Sequence, residues 1–493
     1  MGEDVDARKF TRQDRQLYRA KVRRCLDVFA RMLAESKFDF ERPMTGLEIE
    51  FNLIDEFRDP TMKNAEVLHA IEHEDFQTEL GQFNIEINVR PRELAGSTSH
   101  DLEAELRASL NDAEQRARTV GAHIVMIGML PTLTPEHLTL DALSANPRYT
   151  LINEQIFAAR GEDLHIDIEG PEHLQTSADT IALEAACTSV QFHLQVSPAS
   201  YADNWNAAQA MAGVQLAMGA NSPFLFGKEL WRETRIALFE QTTDTRSEEL
   251  KEQGVRPRVW FGDRWINSIF DQFEENVRFF PALLPICDDE DPLEALNRGD
   301  TPKLAELRMH NGTIYRWNRP VYDVYENRPH LRVENRVLPA GPTVVDILAN
   351  GAFYYGLLRI LAEEDRPLWS RMSFTAAQDN FLQGARHGIN AKIYWPGLGE
   401  APATELVLRR LLPMAHEGLA RWQVDTAVAE RLLGIIEQRC ITGMNGAEWQ
   451  VQTFHQLDDH RPGLGRHEAL REMLGRYTEH MHSNQPVHTW EIG

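Results

Sequence analysis

The sequence predicts an α+β fold: a largely antiparallel sheet packed by helices, with a helical extension at the C-terminal end. Three observations carry this. Four separated segments, 45–55, 83–89, 189–197 and 331–337, alternate between apolar and polar residues, as strands with one buried face do. Stretches with helical spacing lie between them. After about residue 366 the alternation stops and helical spacing takes over. The chain divides on this reading into a helical lead-in (1–43), a sheet-bearing domain (44–365) and an extension packed on it (366–493).

The elements follow in order. Leu17, Val22, Leu26, Phe29 and Leu33 give a leading amphipathic helix within 1–40. In the first strand Leu47, Ile49, Phe51 and Leu53 share one face, and Glu48, Glu50 and Asn52 the other. In the second, Phe83, Ile85, Ile87 and Val89 oppose Asn84, Glu86 and Asn88. A helix over 99–120 starts at a capping-box-like Thr98/Asp101, carries a Leu102–Leu106–Leu110 stripe and ends at Gly121. Residues 123–130 read as an apolar strand, and 131–180 as loop-rich. Val190, Phe192, Leu194 and Val196 oppose Gln191, His193 and Gln195. A helix over 203–219 opens at Asp203 and closes at Gly219. Leu331, Val333 and Val337 oppose Arg332, Glu334 and Arg336, and an apolar helix follows at 343–362. Helices over 403–421, 425–439 and 466–481 complete the extension. The acidic run Asp288–Asp291 reads as a solvated loop.

Composition excludes several classes. The chain of 493 residues is 42% hydrophobic and 26% charged, enough apolar mass for a large core. Its net charge of −24 argues against nucleic-acid and anionic-membrane partners, which are polyanions. An anionic substrate would need local cations. Cys25, Cys187, Cys287 and Cys440 are far apart with no CxxC pair, which fits reduced thiols in a cytoplasmic protein. The start, MGEDVDARKF, is polar, and no apolar run approaches the length of a membrane span. The most apolar stretch, Ile347–Leu358, contains Asn350 and reads as a buried helix.

The polar faces of the strands carry the functional signal. They gather Glu48, Glu50, Glu86, Glu334, His193, Gln191, Gln195, Asn84, Asn88, Arg332 and Arg336, and no lysine. A single strand of this kind is the ordinary wet side of a sheet. Several together repel unless something positive lies among them. Mg²⁺ suits such carboxylates with one imidazole, and Mn²⁺ fits the same donors, whereas zinc prefers more nitrogen or sulfur. Glu48 and Glu50 sit two apart on a strand, roughly 7 Å between side chains, which allows neighbouring metals. Glu79 and Glu86 bracket the turn at Gly81 and reach the same floor. Arg332 and Arg336 flank Glu334 at two-residue spacing, an arrangement that suits a polyphosphate or a transferring phosphoryl group. There is no P-loop, GxSxG or HExxH.

The segments GLEIEF (46–51), TELGQFNIEIN (78–88), QFHLQVS (191–197), ANSPFLFGKELWRETR (220–235) and LRVENR (331–336) resemble, in order, those of the glutamate–cysteine ligase family. The closer likeness is to its carboxylate–amine ligase branch, in the glutamine synthetase superfamily. The resemblance runs over roughly 44–350. It implies a glutamine-synthetase-like curved sheet forming an open funnel, with ATP and two or three Mg²⁺ on its polar face. Glu48, Glu50, Glu79, Glu86, His193 and Glu334 resemble the family's metal ligands. Arg336, with Glu334, looks like the catalytic pair at the transferring phosphoryl group. Arg235 looks like a clamp for a substrate carboxylate; Arg332, Gln191 and Gln195 line the substrate face. His310–Thr313, Trp317–Pro320, Asn335 and Val337–Pro339 depart from the family pattern.

The implied activity is an ATP-dependent ligase. It joins an amino-acid carboxylate, glutamate's as the expectation, to an amine such as cysteine's through an acyl phosphate, giving a γ-glutamyl-type amide. The alternatives are phosphoryl transfer to a guanidino or carboxylate substrate, and a non-catalytic nucleotide sensor on the same fold. Homo-oligomerisation is an expectation from the family alone.

Overall fold

The alternating segments meet in one sheet. In the computed structural model, residues 9–38, 40, 43–460 and 463–492 are described; residues 1–8 of the polar start lie outside them. The strands of the main sheet are β1 (Met44–Ile54), β2 (Phe76–Thr78), β3 (Asn84–Glu93), β4 (His123–Val125), β5 (Val190–Val196), β6 (Asn318–Tyr325) and β7 (Arg328–Asn335). Their order is β6-β7-β5-β1-β3-β2, with β4 pairing the end of β1, and every pair is antiparallel.

Register puts the polar residues on one face. Glu48 stands between Gln191 and Asn88, and Glu50 faces Glu86. Glu334 stands between His193 and Arg319. A strand's period of two sends the intervening Leu47, Ile49, Phe51, Phe192, Leu194, Leu331 and Val333 to the opposite face, where all are buried.

That apolar face rests on the helices Tyr201–Gly219 and Val344–Ala362. Phe192 stacks on Tyr354 at 6.0 Å between ring centroids, and the Tyr355 hydroxyl donates to the His193 carbonyl (3.0 Å). Among the described residues, Val344–Ala362 is the one helix long and apolar enough to cross a membrane, yet it is buried in the protein. It is apolar all round because elements cover it on both sides. The C-terminal helices Leu412–Arg421 and Thr426–Thr442 pack on its far side. Gly356 and Gly418 form one crossing so close that a Cβ on Gly418 would overlap the Gly356 carbonyl. Arg439 adds a buried ion pair to Asp346 (2.7 Å) and a hydrogen bond to Asn350 (2.6 Å).

Several expectations needed correction. The leading helix runs Arg12–Ala34 and buries Val22, Leu26 and Phe29 as expected, together with Tyr18, Cys25, Val28 and Met32, but Leu17 is exposed and Leu33 only half-buried. The helix read at 99–120 spans Thr98–Thr119, with Ser97 at its N-cap and no side-chain cap bond. The helix read from 203 begins at Tyr201, and Asp203 lies in its first turn. Residues 123–130 pair as a strand only over His123–Val125. Beyond that point the backbone bonds to loops, Gly128 N–H to Asn221 and Thr188 N–H to Gly128.

The region 131–180 contains the helix Pro147–Arg160 and the hairpin Leu164–Glu169/His173–Ala178. The extension also holds the helices Phe374–His387 and Gly446–His460 and a short hairpin, Lys392–Trp395/Gly399–Pro402. The acidic run is no free loop: Asp291 caps the helix Pro292–Arg298 and pairs with Arg24 (2.7 Å).

Candidate active site

The polar face of the sheet is the floor of a trough. At its closed end is a cavity of about 70 Å³ lined by Glu50, Glu79, Glu184, Arg235, Arg316 and Arg336, among others. A middle cavity of about 230 Å³ shares Glu79, Leu80, Glu184 and Arg336 with it. An open groove of about 1070 Å³ shares Glu48, Asp323 and Arg332 with the middle cavity. The three therefore adjoin one another through shared walls.

Near the closed end three carboxylates converge. Glu50, Glu79 and Glu86 each offer an oxygen within 4.8 Å of the others. Glu50 is fixed by the Ser189 backbone N–H (2.6 Å), the Ser189 hydroxyl (3.0 Å) and the Gln191 amide (3.0 Å). Asn88 donates to Glu86 (3.0 Å), and the Leu80 N–H to Glu79 (3.0 Å). Among the described residues, no Lys or Arg pairs directly with these three. Burial raises all three carboxyls, most of all Glu79, where the charges of Glu86 and Glu50 add to it. Glu50 and Glu86 are buried and Glu79 is half-buried, and three acids that repel one another offer the kind of oxygen donors that could hold a cation.

A second cluster lies beside the first. His193 Nε2 is 3.2 Å from Glu48 Oε1, and Nδ1 is 3.9 Å from Glu334. Nε2 is buried with no well-formed hydrogen bond. Burial acts upward on Glu48, but the imidazole of His193 more than offsets it and holds the carboxyl below its ordinary range. Glu334 is gripped by Arg319 (2.9 Å) and Arg336 (2.7 Å). Burial opposes ionisation there too, and the two guanidinium groups overcome it, leaving Glu334 well below the usual range.

The remaining expected residues fall into place unequally. Gln191 is buried between the clusters, donating to Glu50 and accepting from Arg336 (2.7 Å). It holds two site residues in position and also lines the middle cavity. Arg332 donates to His193 Nδ1 (3.2 Å) and Asp323 (3.1 Å), and lines the middle cavity and the open groove. Gln195 lines the open groove alone. Arg235 is buried at the closed end, bonded to Glu233 (3.0 Å) and the Val337 carbonyl, away from Glu48 and His193.

Two residues escaped sequence reasoning. Arg319 faces Glu334 from β6, a strand hidden by Pro320; β6 is an edge strand, where a missing N–H is tolerated. Glu184 sits in a short 3₁₀ segment of small residues, Ile181–Ala186, with no periodic signal. Burial raises its carboxyl to about 8, against the pull of Arg336.

Residues 44–480 match the family described as glutamate-cysteine ligase family 2 (GCS2). The chain belongs to this family. It is therefore an ATP-dependent ligase of the glutamate–cysteine ligase type, and the match extends well into the C-terminal helices. The solved glutamate–cysteine ligase of Francisella tularensis, in complex with AMP, superposes with a TM-score of 0.56 at 11% identity, over 93% of this chain and 91% of that one. At that identity the likeness is one of fold: a strongly curled, half-barrel antiparallel sheet packed by helices. A bifunctional glutathione synthetase from Pasteurella multocida superposes at 0.48 with 12% identity, over 93% of this chain and 55% of that one. No curated protein matches the chain.

Proposed function

We propose that this family member joins the carboxylate of an amino acid, with glutamate the leading donor, to the amine of a second small molecule, using ATP. The observation that carries this is the convergence of Glu50, Glu79 and Glu86 within 4.8 Å in a trough that also holds Arg336. Oxygen-only donors fit Mg²⁺. Glu50, Glu79 and Glu86 would hold one ion, and Glu48 with His193 and Glu334 are the donors for another. Bound there, Mg²⁺ supplies charge neutralisation for the phosphates of ATP.

The chain's own residues do the rest. Arg336 is locked by Glu334 and Gln191, so its planar guanidinium is fixed before substrate arrives. It stabilises charge that spreads over the γ-phosphoryl oxygens as the donor carboxylate oxygen attacks phosphorus and ADP leaves. The amine nitrogen then attacks the acyl carbon, the C–O bond to phosphate breaks, and phosphate departs as the nitrogen loses its proton. Arg235 at the closed end supplies a second cation for a substrate carboxylate. The open groove is the one cavity of the three with room for a nucleoside.

The test is phosphate release from ATP, Mg²⁺ and glutamate across a panel of amines. Amine-dependent release is expected. Release that ignores the amine overturns the ligase reading in favour of phosphoryl transfer. Nucleotide binding without turnover overturns it in favour of a sensor.

A further inference from the structure

Glu184 is the acid that the carboxylate clusters do not use. It lines both the closed cavity and the middle cavity, beside Arg336. It is outside the trio whose oxygens lie within 4.8 Å of one another. Among the described residues it has no ion pair and no side-chain hydrogen bond, although its neighbour Glu50 is tied down. A carboxylate left open toward a cavity with arginines around it is poised for a cation brought in by a ligand.

The same cavity supplies the opposite charge. Arg235 and Arg316 are buried in its wall, and Trp317 and Phe239 give it an apolar side. Arg235 is anchored to Glu233 and the Val337 carbonyl, so its guanidinium is held rigidly in the cavity wall. An anion clamp, a cation clamp and an apolar side in one small cavity match a zwitterion on a short aliphatic chain.

We propose that Glu184 selects the amino-acid substrate by binding its ammonium group, while Arg235 holds a carboxylate of the same molecule. This rests on the ligase reading and adds the residue that reads the amine. A dicarboxylate lacking the amine would set a methylene against Glu184 and leave that carboxylate unpaired. Sites that bond a polar substrate group reject analogues lacking it far more strongly than apolar pockets reject a missing methylene.

The experiment compares glutamate with glutarate, which differs only in lacking the amine, on wild type and Glu184→Gln. Binding is measured by calorimetry with a non-hydrolysable ATP analogue and Mg²⁺, and turnover is measured beside it. Wild type is expected to prefer glutamate by at least about 100-fold. Glu184→Gln, nearly the same shape, is expected to weaken glutamate about tenfold or more, to collapse the preference and to leave nucleotide affinity unchanged. An undiminished preference in the variant overturns the assignment, as does a variant whose defect is in Mg²⁺ affinity, or a wild type that binds neither acid. Glu184→Asp, which keeps the charge, should recover part of the preference. Wild type that prefers glutamate but releases no phosphate with any amine would overturn the ligase reading while supporting the role of Glu184.

Discussion

Arg336 and Glu334, two residues apart on one polar face, are joined at 2.7 Å, and Arg319 from the next strand holds the other oxygen of the same carboxylate at 2.9 Å. The chain has built a buried Glu with two arginines in the floor of its trough. Such a group is stable only while both partners remain.

Arg336→Lys should therefore lose catalysis and not binding. A lysine is a point charge and cannot contact Glu334, Gln191 and a phosphoryl group in one plane. We expect kcat to fall about 100-fold or more, with KM for ATP within about threefold. Steady-state kinetics checks this; wild-type kcat would make Arg336 a purely structural residue.

The carboxylate trio predicts a specific metal defect. Glu86→Gln removes one of three converging acids and relieves repulsion on Glu79 and Glu50. Thermal stability without Mg²⁺ should stay level or rise, while the Mg²⁺ concentration needed for half-maximal turnover rises about tenfold or more. A Mg²⁺ titration followed by both melting and rate separates the two effects.

His310 gives a pH signature. Burial pushes its imidazole down to about 4, against a bond from Nε2 to the Asn276 carbonyl (2.9 Å). Below about pH 6.5 the unfolded chain takes a proton that the folded chain refuses. Stability is present above that pH and is lost as pH falls toward 4. His310→Gln should flatten the stability curve in this window by up to about 1.4 kcal/mol per pH unit. Denaturant melts at pH 4.5, 5.5 and 6.5 measure the difference; parallel curves would place the ring in water.

Gly418 tests whether the C-terminal helices fold with the sheet. Gly418→Ala drives a methyl into the Gly356 carbonyl. Overpacking of that kind costs about 1–3 kcal/mol. One cooperative transition at lower temperature is expected. A separate early transition, with the sheet's own melt unchanged, would show the extension folding independently.

Much of this was legible in the sequence, for physical reasons. A strand with one wet face must alternate, so β1, β3, β5 and β7, with Glu48, Glu50, Glu86 and Glu334 on them, could be read directly. Arg319 was not readable, because its strand carries Pro320 and no apolar alternation marks its half of the hairpin in which it faces Glu334. The helix Pro147–Arg160 was missed because its buried residues, Arg148, Tyr149, Leu151, Ile152, Asn153, Ile156 and Arg160, mix polar and apolar types and leave no stripe. Asn335, a departure from the family pattern, proves to be a buried bridge to Asn318 (2.7 Å) and Gln215 (3.2 Å). The departure is one of packing, away from the acids of the trough.

The most direct test of the central claim follows an oxygen atom. If the donor carboxylate attacks the γ-phosphorus of ATP, one of its oxygens must leave in the phosphate that the amine displaces. Glutamate labelled with ¹⁸O in its side-chain carboxylate should, on complete turnover with an accepted amine, release phosphate carrying one ¹⁸O per molecule. Phosphate released without the label would mean that ATP is cleaved by water or by another group, and the ligase chemistry assigned to this trough would be wrong.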